Sequence, residues 1–453
     1  MKSNLKEFVA DLKCSYLRSL LLIALIPLFP EYLSFFFAIA AFFFARKDIR
    51  LQNKKIRIGT IGKLLFVYCA YITITAVFSE YKLQCIAIAL MWWFFFLVYL
   101  TIVNLITDED RMDSFLMCIT GVAGIIGLIA CVQYLLNSNF GSIWSWLDEI
   151  VFNMVPFEIC TTSYQIRAYS SFANPNMLAQ YLVMIAPFVI CFNFVERRRK
   201  LRLFSRFSLL LTFAGILFSF SRGAYIALLV LCIALVVINI RRKFATVLLY
   251  VISAILFLPK EVITRLFSVR TGISSSGEVA ETVMNSVDTS IVMNNTSETL
   301  AHVTTDVAIN QRWQIWIESI GHILERPFFG YGVGTEPSTN IFKGINIAAP
   351  HAHNLILQLL LEGGIFALIL MSLIGFQTIK NGFRLIRGGT NASFWYAFAT
   401  LAFVTCFVLH GMVDYPLTTP KLVCCFITAL AIIEQSVPLF KNTTPSRKLL
   451  RKQ

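Results

Sequence analysis

Charged residues are scarce in this sequence of 453 residues. Asp, Glu, Lys and Arg together make up 14% of the chain, whereas hydrophobic residues make up 57% and the mean hydropathy is +0.72. No ordinary soluble domain has this composition. The formal net charge of +14 would favour nucleic acid as the partner of a soluble protein, but here the basic residues stand in short clusters between apolar runs. We therefore predict a polytopic membrane protein without a nucleic-acid partner.

Several other features are missing. The first apolar run carries no small-residue cleavage site, so we expect it to be an anchor rather than a cleavable signal peptide. The 11 cysteines follow neither zinc-ligand nor disulfide spacing. No internal repeat is evident, which argues against the inverted-repeat design of many secondary transporters. The polar stretch 271–310 has no aromatic residue, and we expect it to be the least ordered part of the chain.

What the sequence does contain is a succession of apolar runs long enough to cross a membrane as helices. We predict an all-α integral membrane protein with about 12 transmembrane helices. The run 17–45 contains Pro27 and Pro30 and is predicted to form two short helices with a tight turn between them. The other spans are predicted at 61–79, 86–106, 114–136, 177–195, 207–221, 224–240, 244–259, 354–379, 394–411 and 420–437.

The clusters of Lys and Arg set the orientation, because cytoplasmic connections are enriched in both residues. Placing the N-terminus inside brings five clusters to the cytoplasm: 46–57, 196–206, 241–243, 380–387 and the C-terminal tail. This predicts a plasma-membrane protein with both termini cytoplasmic, and it divides the chain into three parts. Residues 1–259 hold nine helices and an outer loop at about 137–176, residues 260–353 form a large, partly helical extracytoplasmic loop, and residues 354–453 hold three helices and the tail.

Arginine and histidine gather where these outer connections meet the helices. Arg222 is the only charged residue of a short turn between two apolar helices, and Arg312 opens the amphipathic end of the large loop. A guanidinium group suits a diphosphate, since its planar fork reaches two phosphate oxygens and stays charged. Together with Arg167, these arginines are candidates to hold such a group. His353, supported by His351, is a candidate base, because a neutral imidazole can take a proton from a sugar hydroxyl.

Each candidate also has a purely structural interpretation. Arg222 could reach lipid headgroups or helix C-terminal carbonyls, and His353 could be a polar cap at a helix start. Trp313 and Trp316 are interpreted as part of an aromatic belt at the membrane surface. For His351, a role as an ordinary loop residue remains open.

No metal or other cofactor is expected on the outer side. The two histidines, His351 and His353, have no carboxylate nearby in the sequence, and neither long outer loop contains Asp-x-Asp. Any glycan donor used there must arrive already activated, most simply as a lipid diphosphate.

Three motifs lie at the junctions of helices and long connections: SFANPNMLAQYL, SRGAY, and RWQIW…RPFFGYGVGT…HN. With them the chain resembles the superfamily of O-antigen ligases and O-antigen polymerases. A family pattern of His, then Asn, Ser or Gln, nine residues, Gly, two residues, and Gly, Thr or Tyr is met by His353, Asn354 and Gly364. It fails at its last position, which is Ala367.

This resemblance implies a multi-helix membrane glycosyltransferase of GT-C-like fold. It implies metal-independent, inverting transfer of a glycan from undecaprenyl diphosphate to an acceptor hydroxyl on the outer face of the membrane. Arg222 and Arg312 match the family's diphosphate-binding arginines and His353 its proposed base. The further substrate-binding candidates are Arg167, His351, Asn354 and Asp414.

The acceptor is open between three classes of molecule. A lipid A core sugar would make the protein a ligase, a second lipid-linked glycan would make it a polymerase, and a protein would make it an oligosaccharyltransferase. No long outer domain follows the last predicted helix, so we expect a protein acceptor least. A flippase for lipid-linked oligosaccharides would need charged residues inside the spans, and a scaffold would not need clustered arginine and histidine; neither is favoured.

Overall fold

The computed structural model describes residues 15–51, 56–136, 167–239, 296–417 and 419–440, and within these ranges the secondary structure is entirely helical. The α-helices are α1 Ser15–Leu25, α2 Ser34–Leu51, α3 Gly59–Phe78, α4 Lys82–Leu105, α5 Glu109–Leu135, α6 Pro175–Val195, α7 Arg199–Phe218, α8 Arg222–Asn239, α9 Thr296–Glu325, α10 Thr335–Lys343, α11 Leu355–Ile386, α12 Asn391–Gly411 and α13 Pro420–Phe440.

The predicted fold class is confirmed. Eight of the described helices are long and apolar enough to cross a membrane, and two shorter apolar helices accompany them. The predicted pair of helices within 17–45 corresponds to α1 and α2, the six spans from 61–79 to 224–240 to α3 through α8, and the last three to α11 through α13. The span predicted at 244–259 lies outside the described residues, as do 137–166 and 271–295 of the long connections.

Two stretches that were predicted to be connections contain helix. Residues 296–310, expected to belong to the least ordered stretch, form the first half of α9. Residues 380–386, expected to be a cytoplasmic connection, continue α11 to Ile386. Between residue 380 and the end of α11 at Ile386, no residue interrupts the helix. The basic side chain of Arg384 lies in its last turn, where a positive charge is favourable at the negative end of the helix dipole.

Helix α6 lies at the centre of the bundle. Of the 18 residues that make up its most apolar stretch, 89% are buried inside the protein, whereas the corresponding share for α7 is 28%. Around it, α5 and α7 pack closely through small residues, as membrane helices do. At Gly127 of α5, an added Cβ would lie 2.3 Å from the carbonyl oxygen of Leu211 in α7. Only glycine permits this approach, so α7 and the turn that follows it are held tightly to the core.

Helix α11 is kinked where the polypeptide before α10 crosses it. Gly364 has φ 61° and ψ −162°, a conformation that only glycine adopts readily, and an added Cβ would lie 2.3 Å from the carbonyl carbon and oxygen of Phe328. The kink frees backbone groups that pair across this contact. Tyr331 N–H donates to Leu361 O at 2.7 Å, and Gly332 N–H donates to Glu362 O at 2.9 Å.

Candidate active site

A histidine and an aspartate far apart in sequence meet at one end of the bundle. His353 immediately precedes the cap of α11, and Asp414 lies in the turn after α12. The Nδ1 atom of His353 is 3.2 Å from Oδ1 of Asp414, and Nε2 of His351 is 3.7 Å from the same oxygen. The side chain of His353 is 24% exposed, whereas those of His351 and Asp414 are 7% and 11% exposed. Of the three, His353 is therefore the most open to a ligand.

Hydrogen bonds assign the protons of this cluster. An ionised carboxylate only accepts hydrogen bonds, so Nδ1 of His353 carries the proton toward Asp414 and Nε2 is left as an acceptor. The backbone N–H of His353 donates to Nδ1 of His351 at 3.2 Å, which requires that nitrogen to be unprotonated. His353 has a left-handed backbone, with φ 50°. The pair thus presents one imidazole nitrogen, Nε2 of His353, as a base.

The pKa values of the two buried groups agree with this assignment. Burial lowers the pKa of His351 to about 3, and the charge of Arg312 acts in the same direction while that of Asp414 opposes it, so the ring is neutral at physiological pH. Burial alone would raise the pKa of Asp414. The hydrogen bond from His353 opposes that effect, and the pKa of Asp414 lies well below its usual range. Asp414 is therefore ionised.

Helix α9 supports the histidine segment from the opposite side. The indole N–H of Trp316 donates to the carbonyl oxygen of Ala352, the residue between the two histidines, at 3.0 Å. Arg312 lies one turn earlier on the same helix, and its charge acts on His351. Trp316 was interpreted as a belt residue, and the hydrogen bond shows that its side chain also contacts the histidine loop. Trp313 is 60% exposed, as a belt residue would be.

Arg222 and Arg167 approach the site from the other half of the chain. Arg222 is the first residue of α8, directly after the turn that ends α7, and the like charges of Arg222 and Arg312 are close enough to act on each other. Arg167 binds that turn: its Nε–H donates to Ser219 O at 2.9 Å, and its Nη2 donates to Asn176 Oδ1 at 2.7 Å. These two contacts give Arg167 a structural task, namely to hold the turn from which Arg222 projects.

The argument against a metal is also altered by the fold. It rested on the lack of a carboxylate near the histidines, and Asp414 supplies one: the ligand atoms of His351, His353 and Asp414 all lie within 4.8 Å of one another. Two imidazoles and a carboxylate are a donor set that Zn²⁺ accepts. The metal-free site remains a prediction, and a chelator tests it.

Comparison with known proteins bears on this cluster directly. Residues 207–372 match the family model described as O-antigen ligase. The matched segment contains Arg222, Arg312 and His353, while Arg167 and Asp414 lie outside it. The resemblance to the O-antigen ligase superfamily is confirmed.

A relative points the same way. Over 327 residues the chain is 20% identical to the ComP-specific O-oligosaccharyltransferase of Acinetobacter baylyi. The aligned segment covers 71% of this chain and 52% of that protein, so the chain spans about half the length of this relative. Both comparisons support a ligase-type glycan transferase in the membrane.

Within the segment that matches the family model, the structure gives physical reasons for the family pattern. Asn354 caps α11: its Oδ1 accepts from Ile356 N at 3.0 Å and Leu357 N at 3.2 Å. The helix begins at Leu355, so His353 immediately precedes its cap. The described contacts of Asn354 are to backbone, and its predicted contact with substrate stays a prediction. Gly364 is required by the kink described above.

Sequence reasoning missed one more residue close to this candidate site. Glu362 is a buried carboxylate two turns after the Asn354 cap, 7% exposed, and it accepts hydrogen bonds from Gln358 and Tyr415. A signal was present, because an acidic residue within a long apolar helix is unusual and normally has a specific partner.

Proposed function

We propose that this protein is a metal-independent, inverting glycosyltransferase of the outer face of a bacterial plasma membrane. Its donor is a glycan on undecaprenyl diphosphate, and its acceptor is a hydroxyl group, in the first instance of a lipid A core sugar. The observation that carries the proposal is the 3.2 Å contact between Nδ1 of His353 and Asp414, which leaves Nε2 of a partly exposed histidine unprotonated.

In this reaction His353 Nε2 takes the proton of the acceptor hydroxyl while the oxygen attacks the anomeric carbon of the donor. The bond from that carbon to the diphosphate breaks, and undecaprenyl diphosphate leaves with the electron pair. Attack from the face opposite the leaving group inverts the anomeric configuration. Asp414 holds the imidazole with Nε2 toward the acceptor and stabilises the positive charge that His353 gains.

Arg222 and Arg312 stabilise the negative charge that develops on the leaving diphosphate. Two guanidinium groups whose charges act on each other repel without a ligand. A bound diphosphate relieves this repulsion, so both arginines contribute to donor binding and to the departure of the leaving group.

A protein acceptor is the second candidate, and one observation favours it: the relative named above is an O-oligosaccharyltransferase specific for ComP. The donor and the base are the same in this reaction, and only the acceptor hydroxyl differs. The proposal for a lipid A core acceptor therefore has to be tested against it.

The test is glycan transfer by purified protein in detergent, with EDTA present and an undecaprenyl-diphosphate glycan as donor. Lipid A core, a second lipid-linked glycan and a protein acceptor are offered in separate reactions. Glycosylated lipid A core supports the ligase proposal, whereas a ladder of lengthening lipid-linked glycan or a glycosylated protein replaces it. If EDTA abolishes transfer and Zn²⁺ restores it, the metal-independent mechanism is wrong.

His353→Gln is the decisive variant, and His322→Gln is its matched control. His322 lies on α9 and is bound to Glu318 and Glu325, away from Asp414. We expect the first variant to lose transfer and the second to keep it. Full activity of the His353 variant would refute the assignment of the base.

A further inference from the structure

Glu362 is linked to both halves of the His353–Asp414 pair. It lies on α11 just before the glycine kink, and its two carboxylate oxygens have different partners. A carboxylate has no donor of its own, so each oxygen can hold a donor from a separate segment of the chain. The two segments that it holds are those that carry the histidines and the aspartate.

The first link leads to the histidine loop. Oε1 of Glu362 accepts from Nε2 of Gln358 at 3.0 Å, and Oε1 of Gln358 accepts from the backbone N–H of Ala352 at 2.7 Å. Because Glu362 binds the amino group of the Gln358 amide, the amide oxygen must face Ala352. The position of the backbone between the two histidines thus depends on which way this amide is turned.

The second link leads to the aspartate. The hydroxyl of Tyr415 donates to Oε2 of Glu362 at 2.8 Å. The backbone N–H of the same tyrosine donates to Oδ1 of Asp414 at 2.9 Å, and this is the oxygen that also binds His353. Anchoring the ring of Tyr415 therefore fixes the N–H that orients the carboxylate of Asp414.

We propose that Glu362 is a positioning residue that sets the relative position of His353 and Asp414 through Gln358 and Tyr415. The inference rests on the proposed function, because it concerns the orientation of the base in that reaction. The two segments come from opposite ends of α11 and α12. Besides the links through Glu362, a hydrogen bond from Nδ2 of Asn354 to Met412 O at 3.4 Å also joins them. Glu362 acts through its neighbours: its own oxygens are occupied by protein donors.

Four variants test the proposal in the detergent transfer assay. Glu362→Leu removes both acceptors at nearly constant volume, Glu362→Gln keeps one of them, and Tyr415→Phe breaks only the link to the aspartate. Thr378→Val is the matched control, because Thr378 is a buried residue of the same helix that binds only the carbonyl of Ile374.

We expect kcat to fall roughly 100-fold for Glu362→Leu and roughly 10-fold each for Glu362→Gln and Tyr415→Phe, with little change in the KM for the donor. The double variant Glu362→Leu/Tyr415→Phe should be no slower than Glu362→Leu, because the bond lost in the second substitution is already absent. The pH dependence of kcat should also shift in these variants, because the carboxylate of Asp414 is no longer held in place against the ring of His353. Thr378→Val should match the wild type in kcat, in the KM for the donor and in the pH dependence of kcat.

A merely structural role predicts a different result: less folded protein with an unchanged kcat per folded molecule and an unchanged pH profile. That result, or additive losses in the double variant, would overturn the proposal. If Glu362→Leu does not yield a monodisperse protein, Glu362→Gln and Tyr415→Phe decide the question. Failure of the proposed function is recognised separately, because His353→Gln would then remain active.

Discussion

The charge of Asp414 offers the sharpest test of the pair. In Asp414→Asn the side-chain oxygen can still accept the N–H of Tyr415, but the negative charge beside the imidazole is lost. The Nδ1 to Oδ1 distance of 3.2 Å places the two charge centres about 4 Å apart when His353 is protonated. At an effective dielectric constant of about 20, this attraction amounts to about 4 kcal/mol. Because about 1.4 kcal/mol changes a rate tenfold, we expect kcat to fall roughly 10³-fold.

The assay is transfer in detergent with saturating donor, measured for the wild type, Asp414→Asn, His353→Gln and the double variant. The double variant should be no slower than His353→Gln alone, because Asp414 acts on the reaction through His353. The KM for the donor should change little, since the arginines bind the diphosphate. A kcat within threefold of the wild type for Asp414→Asn, together with an inactive His353→Gln, would refute the role given to the carboxylate.

Three further predictions concern stability and loop position. Gly364→Ala should lower the free energy of unfolding by roughly 3 kcal/mol, from strain and the backbone clash, whereas Gly375→Ala on the same helix meets no atom within 4 Å and should be neutral in a thermal unfolding assay. The pKa of His351 is lowered to about 3 in the folded protein from an ordinary 6.5, so the unfolded chain binds more protons between these values. Stability should therefore be full above pH 6.5 and fall as the pH is lowered toward 3, and His351→Asn should flatten this dependence in thermal unfolding between pH 7 and pH 4. Trp316→Phe removes the hydrogen bond to Ala352 and should lower kcat roughly 10-fold while the amount of folded protein stays the same. The transfer assay measures kcat, and size-exclusion chromatography measures the amount of folded protein.

The agreement between prediction and structure is closest for the helices. A membrane helix satisfies its own backbone hydrogen bonds and needs about 20 apolar residues, so its position follows from local composition alone. The break at Pro27 and Pro30 was predictable for the same reason, since proline lacks the N–H that a helix requires. The extension of α11 beyond residue 379 was missed, because amphipathic turns at a membrane surface continue a helix without adding to an apolar run.

The candidate site was predictable only in part. His353, Arg222 and Arg312 could be singled out, since charged and titratable residues are rare in this chain and stand at helix boundaries. Their partners could not be identified. The resemblance singled out Asp414 as a candidate for binding substrate, not as the partner of His353, and Trp316 looked like a belt residue. Only packing shows that each contacts the histidine loop.

By itself, the sequence determined the class of the protein, the order and approximate positions of its apolar helices, and the stretch that carries the histidines. These properties depend on local hydrophobicity and on side-chain chemistry, which are written residue by residue. Only the tertiary structure decided that Asp414 faces His353, that Arg167 holds the turn before Arg222, and that Glu362 joins both sides of the pair. Such contacts depend on how α11 and α12 pack, and packing between helices of similar apolar composition is set by shape and buried hydrogen bonds rather than by any local pattern.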